Sequence, residues 1–124
     1  MARTALVATC VCVLLAAPAS ARWKAEYTSQ PQEVRDWYAN AELTPAAKGR
    51  FPFKNCCARS EVVRTQFRVS NADGADQWWW LDGDEWRRVP PDVIHWNEHA
   101  PDKQPTLFVW SGRETCFFPP EEGG

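Results

Sequence analysis

Apolar positions in the first part of the chain recur with the period of an α-helix. They are Val34, Trp37, Tyr38 and Ala41. Spacings of i, i+3, i+4 and i+7 are typical of the apolar stripe of an amphipathic helix. We predict this helix over residues 29–43, with Ser29 as the N-cap and Thr44-Pro45 after its last turn.

Beyond the helix, apolar and polar residues alternate with the period of β-strands. The segments are residues 63–69, 77–81, 85–89, 106–110 and 113–118. In the first of them the alternation predicts one face in the core and one solvated, basic face. Asp82-Gly83 and Ser111-Gly112 lie between consecutive segments and predict tight hairpin turns. A helix followed by about five antiparallel strands is an α+β pattern, so we predict an N-terminal amphipathic helix packed on a small antiparallel sheet.

The first 21 residues have the pattern of a cleavable export signal. Arg3 precedes an apolar run of about 13 residues, and small residues precede a cut after Ala21. The run is short for a membrane anchor, so we predict cleavage and a location in the periplasm or outside the cell. Residues 22–124 then form one small domain. Its parts are the helix at 29–43, a β-rich part at 62–118 and a tail at 119–124.

The charge of the predicted domain argues against two classes of partner. Removing Arg3 takes the formal net charge from −2 to −3, and acidic and basic residues are interspersed. With no basic stripe, the sequence favours neither nucleic acid nor an anionic membrane as partner. No second apolar stretch has membrane length, so we expect no membrane span after cleavage. All eight tryptophans lie in this domain, far above ordinary usage.

Three cysteines remain after the predicted cleavage. They are Cys56, Cys57 and Cys116. In an oxidising compartment we expect a disulfide from Cys56 or Cys57 to Cys116, which would stabilise the domain by about 4 kcal/mol. The third thiol is either buried and inert, or joins two chains in a covalent dimer. A vicinal Cys56–Cys57 ring is the least favoured arrangement because of its geometry.

A run of three tryptophans, residues 78–80, is the most informative surface candidate. Because strand side chains alternate, Trp78 and Trp80 share one face and Trp79 lies on the other. A two-residue turn at Asp82-Gly83 places Trp79 opposite Trp86. The same register places Trp78 opposite Arg87, close enough for cation–π stacking. The predicted binding residues are Trp78, Trp79, Trp80, Trp86 and Arg87.

Two interpretations of these residues stay open at this point. In the first, both faces of the sheet are covered, because large aromatic side chains in a small domain usually belong to the core. Alternatively, one set is exposed and forms a platform for a glycan, a peptide or a protein of the envelope. Exposed aromatic residues beside arginine are typical of an interface hot spot.

The sequence contains one string that resembles a metal-peptidase motif. Residues 95–99 match the H-x-x-E-H pattern, in which His95 and His99 would share one helical face with a carboxylate beside them. Pro91 and Pro101 confine any helix here to a short turn. We therefore predict no metal site and no cofactor, and keep the two histidines only as outside candidates. No phosphate-binding loop or catalytic triad order is present, so no catalytic residue is predicted.

Short motifs spread over most of the predicted domain carry a resemblance. They are Asp36-Trp37-Tyr38, Cys56-Cys57, Trp86-Arg87-Arg88-Val89-Pro90 and Cys116-Phe117-Phe118-Pro119-Pro120. In their order they resemble a group of small, exported, uncharacterised proteins of bacteria and phage. The resemblance implies export and paired cysteines, and it transfers no catalytic residue.

These observations support three functional hypotheses. The first is a non-enzymatic binding or structural module of the bacterial envelope or of a phage-associated assembly. The second is an inhibitor of an extracytoplasmic hydrolase, since small disulfide-closed β-rich scaffolds suit that role. The third is a small enzyme that depends on a metal or on the unpaired thiol.

Overall fold

The computed structural model describes residues 29–121, which form an α+β fold closed by a disulfide. The helices are α1 (Gln32–Asn40), α2 (Pro45–Lys48) and a 3-10 turn (Pro91–Val93). The strands are β1 (Glu61–Val63), β2 (Phe67–Ala72), β3 (Ala75–Asp82), β4 (Glu85–Arg88), β5 (Thr106–Trp110) and β6 (Arg113–Phe118). The predicted export signal, residues 1–21, and the end of the predicted tail lie outside the described residues. Within them, no helix is long and apolar enough to cross a membrane.

The strands form two antiparallel sheets of three strands each, where a single sheet was predicted. The first sheet has the order β1-β5-β6 and the second the order β2-β3-β4. The predicted count of about five strands is wrong because the segment at 63–69 is divided between the two sheets. At the break, Thr65 Oγ1 donates to the carbonyl of Leu81 at 2.6 Å, and Leu81 N donates to the carbonyl of Gln66 at 3.0 Å. These bonds turn the chain from one sheet to the other.

Helix α1 is shorter than predicted and does not lie at the N-terminus of the chain. It begins at Gln32, with Pro31 at the N-cap position and no side-chain cap, so Ser29 does not cap it. It ends because Ala41 is extended and the chain then forms a bridge between Glu42 and Asn55. Proline favours a helix start because its fixed φ suits the first turn.

The predicted apolar stripe of α1 does face the core, and the core is that of the first sheet. Tyr38 is fully buried, with its ring 5.8 Å from that of Phe108. The ring of Trp37 lies 4.7 Å from that of Phe118, edge to face. Val34 packs at the margin of the same core. Helix α1 therefore covers β5 and β6 and not the strand that carries three tryptophans.

A second helix, α2, occupies part of a segment predicted as loop. Thr44 Oγ1 accepts a hydrogen bond from Ala47 N at 3.1 Å, and Pro45 stands at the first helical position. Threonine at the N-cap followed by proline is a helix-start signal, which the prediction took only as the end of α1.

The β3–β4 hairpin has a different register from the predicted one. Asp82 pairs with Glu85, so the two-residue turn is Gly83-Asp84 and not Asp82-Gly83. Gly83 takes the left-handed φ of +68° at the first turn position, which only glycine adopts at low cost. Trp79 is therefore opposite Arg88, and Arg87 is opposite Trp80, so the predicted pairs Trp79–Trp86 and Trp78–Arg87 are both wrong.

Phe117 joins the two sheets into one core. Its ring lies 5.3 Å from that of Trp78 and 5.5 Å from that of Phe67, both on the inner face of the second sheet. On the first sheet Leu107 and Phe108 are fully buried too, and Phe108 is the one that packs against Tyr38 of α1. One continuous cluster of buried side chains thus includes residues of both sheets.

The structure resolves which cysteine pairs with Cys116. The disulfide joins Cys56 to Cys116 across 60 positions of sequence, and both residues are fully buried. Beside it, the hydroxyls of Ser60 and Thr115 lie 2.8 Å apart in a buried hydrogen bond. The predicted disulfide is confirmed, and Cys57 keeps a free thiol.

Candidate functional site

The five predicted binding residues lie on opposite faces of the second sheet. Trp78, Trp80 and Arg87 belong to the inner face, which packs on the core. Trp79 and Trp86 belong to the outer face. This division follows from the alternation of side chains along β3 and β4.

The inner-face residues are tied into the fold. Trp80 is 5% exposed, and its indole N–H donates to Glu114 Oε2 at 2.8 Å. The guanidinium of Arg87 lies 6.0 Å from the Trp80 ring centroid and pairs with Asp82 at 3.1 Å. Trp78 is half-buried against Phe117. These side chains hold the second sheet to the core and leave little surface for a ligand.

The outer face carries a cluster that we call the outer patch: Arg68, Trp79, Trp86 and Arg88. The guanidinium carbon of Arg68 lies 4.3 Å from the Trp86 ring centroid and 6.0 Å from that of Trp79. Both tryptophans are partly exposed. The indole N–H of Trp79 donates to Ser70 Oγ at 3.0 Å, which fixes the orientation of its ring. The patch is thus two oriented aromatic rings bridged by one arginine.

The charge of the outer patch is positive and locally uncompensated. Arg68 and Arg88 are exposed, and neither forms an ion pair with any of residues 29–121. The strand positions of β2 to β4 that share this face include no carboxylate. Arginine retains its charge at any physiological pH, so the patch presents two positively charged guanidinium groups to solvent.

Neither arginine of the outer patch was predicted from the sequence; the central one is Arg68, whose guanidinium lies against both indole rings. It pairs directly with Trp79 across β2 and β3. The signal was available in the turn Asp73-Gly74, where both residues have positive φ and which joins β2 to β3. A two-residue turn at that position fixes the register of β2 against β3, and this register places Arg68 opposite Trp79.

A second group of reactive side chains lies in the core around the disulfide. One ring nitrogen of His95 and the sulfurs of Cys56 and Cys116 all lie within 4.8 Å of one another. The imidazole stacks on the Phe118 ring at 4.1 Å and an angle of 10°. We call Cys56, Cys116 and His95 the core triad.

The environment of His95 favours its neutral form. Burial lowers the pKa of His95, while the Glu98 carboxylate and the backbone of Glu42 act in the opposite direction. Nδ1 faces Glu98 Oε1 at 3.7 Å. Nε2 is buried and has no hydrogen-bond partner.

The H-x-x-E-H string does not form a peptidase helix. The only helical turn near it, Pro91–Val93, ends before His95. His99 Nδ1 lies 2.9 Å from the carbonyl of Pro119 and is not part of the core triad. The two imidazoles therefore do not share a helical face, and the geometry of a zinc peptidase is not present.

The free thiol of Cys57 lies in a half-buried position. Burial raises the pKa of Cys57, so the thiolate is scarce at neutral pH. Because the thiolate is the nucleophilic form, this environment does not activate the cysteine.

A shallow pocket of about 280 Å³ lies where the chain passes between the sheets. Its lining consists of Arg64, Thr65, Phe67, Gln104 and Pro105. Arg64 also donates to the hydroxyl of Tyr38 at 3.4 Å. Burial raises the pKa of Tyr38, so the phenol stays neutral.

Comparisons with protein-family models, with curated proteins and with solved structures gave no match for this chain.

Proposed function

We propose that the protein is an exported, non-enzymatic binding module that acts in the bacterial envelope or in a phage-associated assembly. The outer patch is the observation that carries this proposal. A buried disulfide supports an oxidising compartment, in agreement with the export signal that the first 21 residues predict. The raised pKa of the Cys57 thiol argues against a thiol-dependent enzyme.

The chemistry of the outer patch favours a carboxylate-bearing ligand. Arg68 and Arg88 supply planar guanidinium groups, whose paired N–H donors match the two oxygens of a carboxylate. The exposed parts of the Trp79 and Trp86 rings supply flat apolar surface. Tryptophan and arginine are the residue types most enriched at binding hot spots. Peptidoglycan, a glycan polymer whose peptide stems end in carboxylates, offers both kinds of group in one envelope material.

Co-sedimentation with purified peptidoglycan tests the proposal. We expect the protein to be retained, and Trp79→Ala or Arg68→Ala to weaken retention at least tenfold, about 1.4 kcal/mol. Trp96→Ala is the matched control, because Trp96 is exposed (45%) and lies in the loop after the 3-10 turn. Arg59→Ala, at another exposed site, controls for the loss of one positive charge.

Two outcomes would contradict the proposal. One is retention that falls equally in all four variants, which would mean non-specific attraction. The other is a protein that does not bind at low ionic strength, where the arginines attract anions most strongly.

Inhibition of an extracytoplasmic hydrolase is a second candidate function, and the tip of the β3–β4 hairpin favours it. Asp84 and Glu85 are exposed there and have no ion-pair partner among residues 29–121. Acidic side chains on a tight turn suit insertion into a basic cleft. Lysozyme activity measured with the protein in excess tests this role. We expect inhibition that Asp84→Asn relieves and Trp79→Ala leaves intact; an unchanged lysozyme rate would exclude this enzyme as the target.

A further inference from the structure

His95 is held in one orientation by contacts on three sides. Its ring stacks on Phe118. Its backbone N–H donates to the carbonyl of Phe117 at 2.8 Å. Its Nδ1 faces the carboxylate of Glu98. These contacts leave the imidazole little freedom to turn, so its second nitrogen keeps a fixed position in the core.

That second nitrogen, Nε2, is buried without a partner. A buried polar atom that makes no hydrogen bond costs free energy, and such atoms are uncommon in folded proteins. The sulfurs of Cys56 and Cys116 are the chemically distinctive groups beside the ring. Neither the core packing nor the outer patch gives this nitrogen a role.

We propose that the core triad binds a zinc ion when the disulfide is reduced. The ligands are the thiolates of Cys56 and Cys116 together with Nε2 of His95, and the fourth position is open to water. Two cysteines and one histidine are a known ligand set for zinc with one open position.

The placement of Glu98 agrees with this role for His95. Histidines that bind a metal through one nitrogen almost always direct the other nitrogen at a carboxylate, a carbonyl or a water. Nδ1 of His95 faces such a carboxylate at 3.7 Å, a distance that a small movement of the exposed Glu98 side chain would shorten to a hydrogen bond. Glu98 is then a positioning residue that holds the ring and selects the tautomer with the proton on Nδ1.

The conversion of the disulfide form into the reduced, zinc-bound form balances in atoms and charge. A dithiol reductant transfers two electrons and two protons to the Cys56–Cys116 bond, which yields two thiols and an oxidised, cyclic reductant. Zinc then displaces one proton from each thiol. Two thiolates neutralise the double positive charge of the ion, so the buried complex has no net charge, which keeps the cost of burial low.

Cobalt(II) serves as the probe, because its thiolate complexes absorb visible and near-ultraviolet light whereas zinc complexes do not. The protein is reduced, freed of reductant under anaerobic conditions, and titrated with cobalt. We expect one equivalent to bind with thiolate-to-metal absorption, and zinc to displace it. The oxidised protein should give no such absorption.

Four variants decide which residues are ligands. His95→Ala should abolish the tetrahedral cobalt spectrum, and Glu98→Gln should weaken binding about 10–100-fold. Cys57→Ser and His99→Gln are the matched controls, because they remove a thiol and an imidazole outside the triad; both should bind cobalt as the parent does. Loss of binding in either control, or an unchanged spectrum in His95→Ala, would overturn the assignment.

Reduction also removes a cross-link, so the fold of the reduced protein is followed by circular dichroism. If the reduced chain stays folded, cobalt must bind to it directly. If it unfolds, zinc must restore the folded spectrum, since metal binding and folding are then coupled. A reduced chain that neither binds cobalt nor refolds with zinc refutes the proposal.

Discussion

Replacing both disulfide cysteines with alanine removes the covalent closure of most of the described chain. Cys56 and Cys116 are separated by 60 positions, so the bond closes a ring that contains every strand from β1 to β5 and part of β6. In the chain-entropy model, a loop of this length restricts the unfolded chain by about 14 cal/mol/K. At room temperature that corresponds to about 4 kcal/mol of stability.

A loss of about 4 kcal/mol is large compared with the expected free energy of unfolding of the whole domain. A domain of this size has a free energy of unfolding of about 5–14 kcal/mol, so the double variant Cys56→Ala/Cys116→Ala should be marginal or unfolded at 37 °C. Near the midpoint, 1 kcal/mol corresponds to about 4–8 °C for a small domain. We therefore expect the melting temperature to fall by about 15–30 °C.

Thermal unfolding followed by near-ultraviolet circular dichroism measures this difference, with a chelator present so that metal does not contribute. The signal is strong because the core contains several ordered aromatic rings. Cys57→Ala is the matched control and should shift the melting temperature by only a few degrees, because its thiol is free and half-buried. A double variant that melts within 5 °C of Cys57→Ala would refute the reasoning that loop closure is a main source of stability.

Three further predictions test the turns, the buried polar groups and the free thiol. Gly83→Ala should lower the free energy of unfolding by about 1–2 kcal/mol, because alanine is strained at a φ of +68°. Gly49→Ala, at a negative φ, should not lower it, and urea titration measures both variants. Ser60→Ala should cost about 1 kcal/mol by the same assay, because it removes a buried hydrogen bond to Thr115, and a neutral result would show that water replaces the hydroxyl. Burial raises the pKa of Cys57 above the ordinary cysteine value of about 8.5, so the rate at which its thiol reacts with iodoacetamide should still rise above that pH. A rate that reaches a plateau near pH 8 would contradict the assigned environment.

The local pattern was sufficient to predict some elements of the fold but not all, since α2 and the division of the first predicted strand were missed. The α1 stripe, the hairpin across Ser111-Gly112 and the disulfide to Cys116 all follow from spacing, turn chemistry and the parity of the cysteines. These features depend on residues close together in sequence or on a residue type with one dominant chemistry. They are therefore visible without knowledge of the tertiary structure.

What could not be predicted depends on contacts between distant residues. The alternation from residue 63 to 69 is the same whether the segment stays in one sheet or passes between two. The pairing of each part with a different sheet, and the hydrogen bonds of Thr65 and Gln66 to Leu81 at the break, distinguish these cases. Likewise, the β3–β4 turn begins one residue later than predicted, at Gly83, and this shift changes every cross-strand pair of the hairpin. The core triad is likewise non-local, because it joins three segments that are remote in sequence.

The passage of the chain between the sheets has a consequence for how the molecule opens. No backbone ladder joins the second sheet to the first, so β2 to β4 are held to the core by side chains, through the ring contacts of Phe117 and the hydrogen bond from Trp80 to Glu114. Groups of strands held in this way open as cooperative units below the free energy of global unfolding. Amide hydrogens of β2 to β4 should therefore exchange with solvent before those of β5 and β6. Since the outer patch is on β2 to β4, a bound ligand would slow the exchange of these amide hydrogens. The factor by which exchange slows would then measure the affinity of the ligand.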